Sequence, residues 1–154
     1  GGSFDSKTHQ LSEILKEFQV SVETQLESTA ARLEIECQPN NIAVNVNRHA
    51  IVSILQNLMD NAIQACQQTA FIKIAVTVPE KDRVKIHFSD NGSGINSEIQ
   101  AQIFEPFFTT RSQGSGLGLA VADSVLRSHG GKIDIFSSTE QGTTFRIVLP
   151  IAAE

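Results

Sequence analysis

Residues 56–64 read QNLMDNAIQ, inside a run from Asn47 to Cys66 that otherwise has the spacing of an amphipathic helix. Asn is a weak helix former, because its short amide competes with the backbone for hydrogen bonds. Yet Asn57 and Asn61 stand one turn apart here. On a helical wheel Ile51, Ile54, Leu55, Leu58, Ala62, Ala65 and Cys66 share one face. Asp60 points nearly opposite, toward solvent. Ser53, Asn57, Asn61, Gln64 and Gln68 form a polar, uncharged stripe beside the apolar one. At i, i+4 the two amides lie ~6 Å apart along the axis, on one side. Such a stripe is either an exposed flank or a site that needs neutral oxygen ligands. An Asn oxygen can ligate Mg²⁺ without adding negative charge beside a polyphosphate. The helix alone admits both readings.

Working outward, residues 8–32 carry a helical stripe (Leu11, Ile14, Leu15, Phe18, Val22, Leu26, Ala30), and residues 33–37 alternate as a strand does. A turn at 39–41 leads to a short strand at 42–46, and Asn47 is placed to cap the long helix. Two alternating strands follow, at 71–78 and 84–89, joined by residues 79–82. A short helix is expected near 97–103 and a longer one over 117–129, ended by Gly130-Gly131. Strands at 132–137 and 143–149 close the chain. Helices and strands mix without strict βαβ alternation. That order predicts an α/β two-layer sandwich, with helices on one face of a mixed β-sheet.

The 154 residues suffice for one domain with a core. Gly1-Gly2-Ser3 reads as a cloning remnant, residues 4–10 as a flexible tail, and residues 11–151 as the domain. The net charge of −5 argues against a nucleic-acid surface, which needs a basic face. It also means that a phosphate ligand requires a metal ion or backbone N–H groups. Cys37 and Cys66 share no metal or redox spacing and read as reduced, packed thiols of a cytoplasmic domain. His9, His49, His87 and His129 form no ligand pair at helical spacing. With no membrane-spanning run and no signal peptide, no membrane contact is expected of this domain, and the piece reads as monomeric.

Two glycine loops carry further chemistry. In DNGSGI, Asp90 ends a strand and Gly92 and Gly94 follow. Glycine lets the backbone approach a flat ligand. A carboxylate there can accept from the exocyclic amine of adenine and disfavours guanine's carbonyl. Alternatively, Asn-Gly is simply a turn. An EF-hand does not fit, since Ala101 occupies the twelfth position. In GSGLGL, Gly114, Gly116 and Gly118 alternate and then enter a helix whose N-terminal N–H groups suit phosphate. It is neither the dinucleotide fingerprint nor a Walker A loop, and by itself it reads equally as a linker. Between the loops, IFEPFFTTR groups Phe104, Phe107 and Phe108 around Pro106 as an apolar anchor. Arg111 is placed just before the second loop, where it can meet a terminal phosphate.

Together and in this order, the elements resemble the ATP-binding catalytic domain of sensor histidine kinases. NLMDNA resembles that family's N box, DNGSGI its first glycine box, FEPFFTT its F box and GSGLGLAVADSVLRSHGG its second glycine box. QGTTFRIVLP is similar to the closing strand motif. EPFFTTR followed by GLGLAVADSVLRSHGG looks closest to the nitrogen-regulation and flagellar-regulation branch.

The resemblance implies the Bergerat ATP-binding fold shared with gyrase, Hsp90 and MutL, with ATP and Mg²⁺ as ligands. It implies that Asn61 binds Mg²⁺, that Asn57 assists at the phosphates, and that Arg111 acts with them in catalysis. Asp90 would hold the adenine amine, with Gly92, Gly94 and Ile95 along the base and Thr143 at its edge. Residues 109–118, including Thr109, Thr110, Arg111, Gly114 and Ser115, would form the ATP lid. Gly116, Leu117, Gly118 and Leu119 would start the helix under the phosphates. The implied partners are a dimerisation domain carrying the acceptor histidine and the receiver domain of a response regulator.

Two features depart from the family pattern. Gln64 stands where many members have Lys or Arg. His9 is followed by Gln10 and lacks the acceptor motif, so the acceptor hairpin is expected to be absent from this piece. Two alternatives stay open. A self-sufficient ATPase of the same fold carries a Glu, as general base, at the place of Asn57. A nucleotide-sensing interaction module would transfer nothing.

Overall fold

Period-two alternation decides which side of each strand meets the helices. In the computed structural model, which describes residues 6–38, 40–106 and 118–152, five strands form one sheet. The elements in chain order are β1 (Lys7–Gln10), α1 (Leu11–Ser21), α2 (Glu23–Thr29), β2 (Arg32–Cys37), β3 (Ala43–Val46), α3 (Arg48–Ala65), β4 (Phe71–Glu80), β5 (Arg83–Ser89), a 3-10 turn (Gln100–Gln102), α4 (Gly118–Ser128), β6 (Lys132–Thr139) and β7 (Gly142–Pro150). The sheet order is β2-β4-β5-β7-β6, and β1 pairs with β3 separately. β2 runs parallel to β4, and the other pairs are antiparallel.

Ile72, Ile74 and Val76 of β4, Val84, Ile86 and Phe88 of β5, and Phe145, Ile147 and Leu149 of β7 are buried with the apolar faces of α1, α3 and α4. The alternate residues Lys73, Lys85, His87 and Arg146 lie on the other, polar face. The architecture is the expected two-layer α/β sandwich on a mixed sheet.

α3 follows the wheel closely. Ile51, Ile54, Leu55, Leu58 and Ala62 are buried, and Val52 and Met59 widen the buried face beyond the expected stripe. The Asn47 side chain caps the helix by accepting the Ala50 N–H at 3.1 Å, worth about 1 kcal/mol in such positions. The Asn47 backbone N–H in turn donates to His129 Nε2 at 3.1 Å. That fixes the His129 proton on Nδ1, 2.7 Å from the Val125 carbonyl. The end of α4 is thereby tied to the start of α3.

Three segments differ from the sequence expectation. Residues 7–10 are not a tail: they pair with β3, from Lys7 opposite Val46 to Gln10 opposite Ala43. The single helix expected over 8–32 breaks at Val22, whose φ of −106° and ψ of 5° end α1 while its side chain stays buried. The helix expected at 97–103 contracts to the 3-10 turn. A further detail is that β4 runs through Pro79 to Glu80, with a register shift after Thr77 that accommodates the missing N–H.

Candidate functional site

The C-terminal end of β5, the start of β7 and the last turn of α3 meet at one corner of the sandwich. Asp90 follows β5 directly. Its backbone N–H donates to the Thr143 carbonyl at 2.9 Å. Its Oδ1 accepts two backbone N–H groups, from Gly92 at 2.8 Å and from Thr143 at 3.2 Å. Both donors reach the same oxygen, so Oδ2 has no hydrogen-bond donor among the described residues. Burial pushes the Asp90 carboxyl above its ordinary value, and the two N–H groups pull the other way. The result is a half-buried acceptor whose geometry the backbone fixes.

Glycines bring the walls together. Gly142, with φ of +148°, begins β7 where a Cβ would overlap the Asp90 carbonyl. Gly94, with φ of +87°, leaves no room for a Cβ against the Thr139 carbonyl. A Cβ on Gly92 would lie 3.0 Å from Ala65 at the end of α3. Ser93 N–H also bonds the Ala65 carbonyl at 3.3 Å. The loop after β5 is therefore laid directly on the helix that carries the two asparagines.

Asn57 and Asn61 are both half-buried on α3. Asn57 packs on the first residue of α4, so closely that a Cβ on Gly118 would overlap its amide. Asp60, the sole acid of α3, is exposed and accepts from Gln25 Nε2 at 2.7 Å, away from this corner. The polar stripe of α3 thus presents amides and no carboxylate. A cavity of about 280 Å³ runs between α3 and α4, lined by Ser53, Ile54, Asn57, Gly118, Val121 and Val125 among others. Its lining includes neither Asp90 nor Thr143, so it is a groove beside the corner rather than the corner itself.

Backbone and hydroxyl hydrogen bonds bring Asp90, Gly92, Ile95 and Thr143 together, and Gly94 packs against the Thr139 carbonyl. Asn57, Asn61 and Gly118 stand on the adjoining helices, and Leu119 packs partly into the core. Thr109, Thr110, Arg111, Gly114, Ser115, Gly116 and Leu117 lie outside the described residues, as do Phe107 and Phe108. Phe104 is described, edge-on to Phe145 with centroids 6.3 Å apart.

Sequence reasoning missed Asn91, Ser138 and Gly142. The Asn91 Oδ1 accepts the Phe71 N–H at 2.7 Å and the Cys66 thiol at 3.2 Å, and its Nδ2 donates to the Thr69 carbonyl at 3.1 Å. It clamps the β5 loop to the link between α3 and β4. The pattern Asn-Gly suggests only a turn; nothing local reveals partners twenty or more residues away.

Among the described residues no three His, Cys, Asp or Glu converge on one point. A divalent cation therefore finds no carboxylate cage here. The Asn61 amide offers one neutral oxygen, which suits Mg²⁺ that arrives on phosphate oxygens.

Comparison with known proteins gives consistent relatives. Residues 46–153 match the family described as histidine kinase-, DNA gyrase B-, and HSP90-like ATPase. The signal transduction histidine-protein kinase AtoS of Escherichia coli is 37% identical over 108 residues, covering 70% of this chain and 18% of that protein. The catalytic domain of histidine kinase ThkA superposes with a TM-score of 0.85 at 30% identity, covering 96% of each chain. ThkA in complex with response regulator protein TrrA matches with a TM-score of 0.80 at 28% identity, covering 96% of this chain and 42% of that one. The chain spans about a fifth to a third of the length of the curated relatives it matches.

Proposed function

The chain belongs to the family of histidine kinase-, DNA gyrase B- and HSP90-like ATPases, and from that membership we propose that it binds Mg-ATP and hands the γ-phosphate to a histidine on a separate dimerisation domain, for relay to an Asp of a response regulator. The adenine amine donates to Asp90 Oδ2, with Gly92, Gly94 and Ile95 along the base and Thr143 at its edge. Asn61 holds Mg²⁺ on the phosphates, and Asn57 and Leu119 line the phosphate end where α4 begins. Thr109, Thr110, Arg111, Gly114, Ser115, Gly116, Leu117 and Gly118 are assigned to the lid, with Arg111 as the phosphate cation. Because Gln64 brings no positive charge, Mg²⁺ and Arg111 carry more of the neutralisation. The work of such a domain is positioning and charge stabilisation.

The observation that carries transfer over hydrolysis is the chemistry of α3. An ATPase needs a base for water. Here an amide, Asn57, occupies the place for one, and Asp60 faces away toward Gln25. The kinase reading extends to the rest of the proposal: a catalytic unit over residues 11–151 with β1 added to it, a cytoplasmic setting, and the nitrogen-regulation and flagellar-regulation branch on the wording of residues 105–111 and 116–131. No helix among the described residues is long and apolar enough to cross a membrane. The ThkA–TrrA complex supports a response-regulator partner by kinship.

The test is to mix this domain, γ-labelled Mg-ATP and the dimerisation hairpin of the parent protein. The expected product is acid-labile, base-stable label on the hairpin's histidine, with little free phosphate. Phosphate release without label on the hairpin would favour an ATPase. ATP binding with neither product would favour a sensing module.

A further inference from the structure

β6 does not keep its alternation. Ile133 and Ile135 face the helices, and Ile135 pairs with Phe145, but the next pair is Ser137 with Thr144. One extra residue, Phe136, is inserted at this bulge. Bulges re-aim the side chains that follow them. Without it Ser137 would continue the inward series. With it, Ser138 stands opposite Thr143 on the inner side and Phe136 is turned out, 56% exposed.

The outside of the bulge is pinned. The Phe136 ring meets the edge of His87 at 4.9 Å between centroids, and the Arg146 guanidinium lies 5.2 Å from its centre. Asp134 holds Arg146 in turn through two hydrogen bonds, at 3.1 and 2.6 Å.

On the inside, the Ser138 Oγ lies 2.8 Å from the Ile95 N–H and 2.9 Å from the Thr143 Oγ1. The Ile95 N–H can only donate, so the Ser138 oxygen accepts. That bond polarises the Ser138 hydroxyl and makes it the better donor of the pair. With Ser138 donating to Thr143, the proton of Thr143 itself is left for the ligand. Thr143 also fixes Asp90 Oδ1 through its own N–H.

Resting on the Mg-ATP reading above, we infer that Ser138 is a specificity-determining positioning residue. Its hydroxyl, aimed by the β6 bulge and held by Ile95, sets Thr143 as a hydrogen-bond donor beside the Asp90 acceptor. The site then reads a base edge carrying an amine next to an unprotonated ring nitrogen. Adenine presents that pair; guanine presents a carbonyl next to a protonated nitrogen.

The test is a calorimetric titration of the unchanged chain, Ser138→Ala and Ser138→Thr with Mg-ATP and with the Mg complex of 1-deaza-ATP, which has a C–H in place of that ring nitrogen. The unchanged chain is expected to prefer ATP by about tenfold, the worth of one well-placed hydrogen bond. Ser138→Ala should bind ATP more weakly and reduce the preference to about twofold or less, while Ser138→Thr, which keeps the hydroxyl, restores both. Thermal melts of each variant report folding separately. Equal weakening of both nucleotides in Ser138→Ala would show that Ser138 merely supports the loop, and an unchanged preference would overturn the inference. If the unchanged chain bound neither nucleotide, the adenine reading itself would fall and this inference with it.

Discussion

At the scale of single residues, Asp90 shows how function and stability pull apart. Its carboxylate has one oxygen bound to the N–H groups of Gly92 and Thr143 and the other available for a base amine. Burial raises its proton affinity. The folded chain therefore holds the Asp90 proton more tightly than the unfolded chain does. The stability this group contributes is complete below the ordinary carboxylate value of about 4 and is lost as pH rises through the raised folded value. Asp90→Asn keeps an oxygen for the two backbone donors and puts an NH₂ at the other position. The variant should therefore melt no lower than the unchanged chain at neutral pH, and its relative stability should improve as pH rises from about 4, checked by melts across a pH series. Its ATP affinity should nonetheless fall by ~1–3 kcal/mol in a calorimetric titration, because a charge-assisted bond is lost and two donors now face each other. Near-unchanged affinity would detach Asp90 from the adenine.

At the scale of elements, β1, α1, α2, β2 and nearly all of β3 precede the matched family segment, which begins at residue 46. Leu11, Ile14, Leu15 and Phe18 of α1 are nevertheless buried in the common core, Phe18 completely. Phe18→Ala should cost ~3–5 kcal/mol in chemical denaturation, as for other fully buried aromatics. A loss below about 1 kcal/mol would mean that α1 is not integral to the domain. The Phe18 stripe, the Asn47 cap and the apolar face of α3 were all legible in the sequence, because each rests on local spacing or on one side chain bonding its own helix. The break at Val22 was not, since the residue keeps its place in the apolar stripe while the backbone turns. β1 was not legible either: KTHQ has no apolar alternation, and its pairing with β3 depends on a partner more than thirty residues away. The β6 bulge left a trace, Ile135 and Phe136 side by side, but its effect on Ser138 emerges only when β6 and β7 are put in register.

At the scale of the whole molecule, the sheet brings together at one corner what the chain separates by tens of residues. The end of β5 carries Asp90 and the start of β7 carries Thr143, and the loop after β5 lies on Ala65 at the end of α3, the helix that bears Asn57 and Asn61. The asparagines, Asp90 and the glycines after it were legible as candidates because the four motifs occur in one order, which no single motif made specific. Asn91 and Ser138 were not, because their work is done through partners brought close only by the fold. A chain of net charge −5 can take a triphosphate only with local compensation, which Mg²⁺ on Asn61, Arg111 and the start of α4 would supply. On the proposed reading this corner selects Mg-ATP by the adenine edge. Calorimetric titration of the unchanged chain with Mg-ATP and, separately, with Mg-GTP measures that selection. Saturable binding of one ATP is expected, with binding of GTP weaker by about tenfold or more, equivalent to ~1.4 kcal/mol. Equal affinity for the two nucleotides, or no binding of ATP, would contradict that reading.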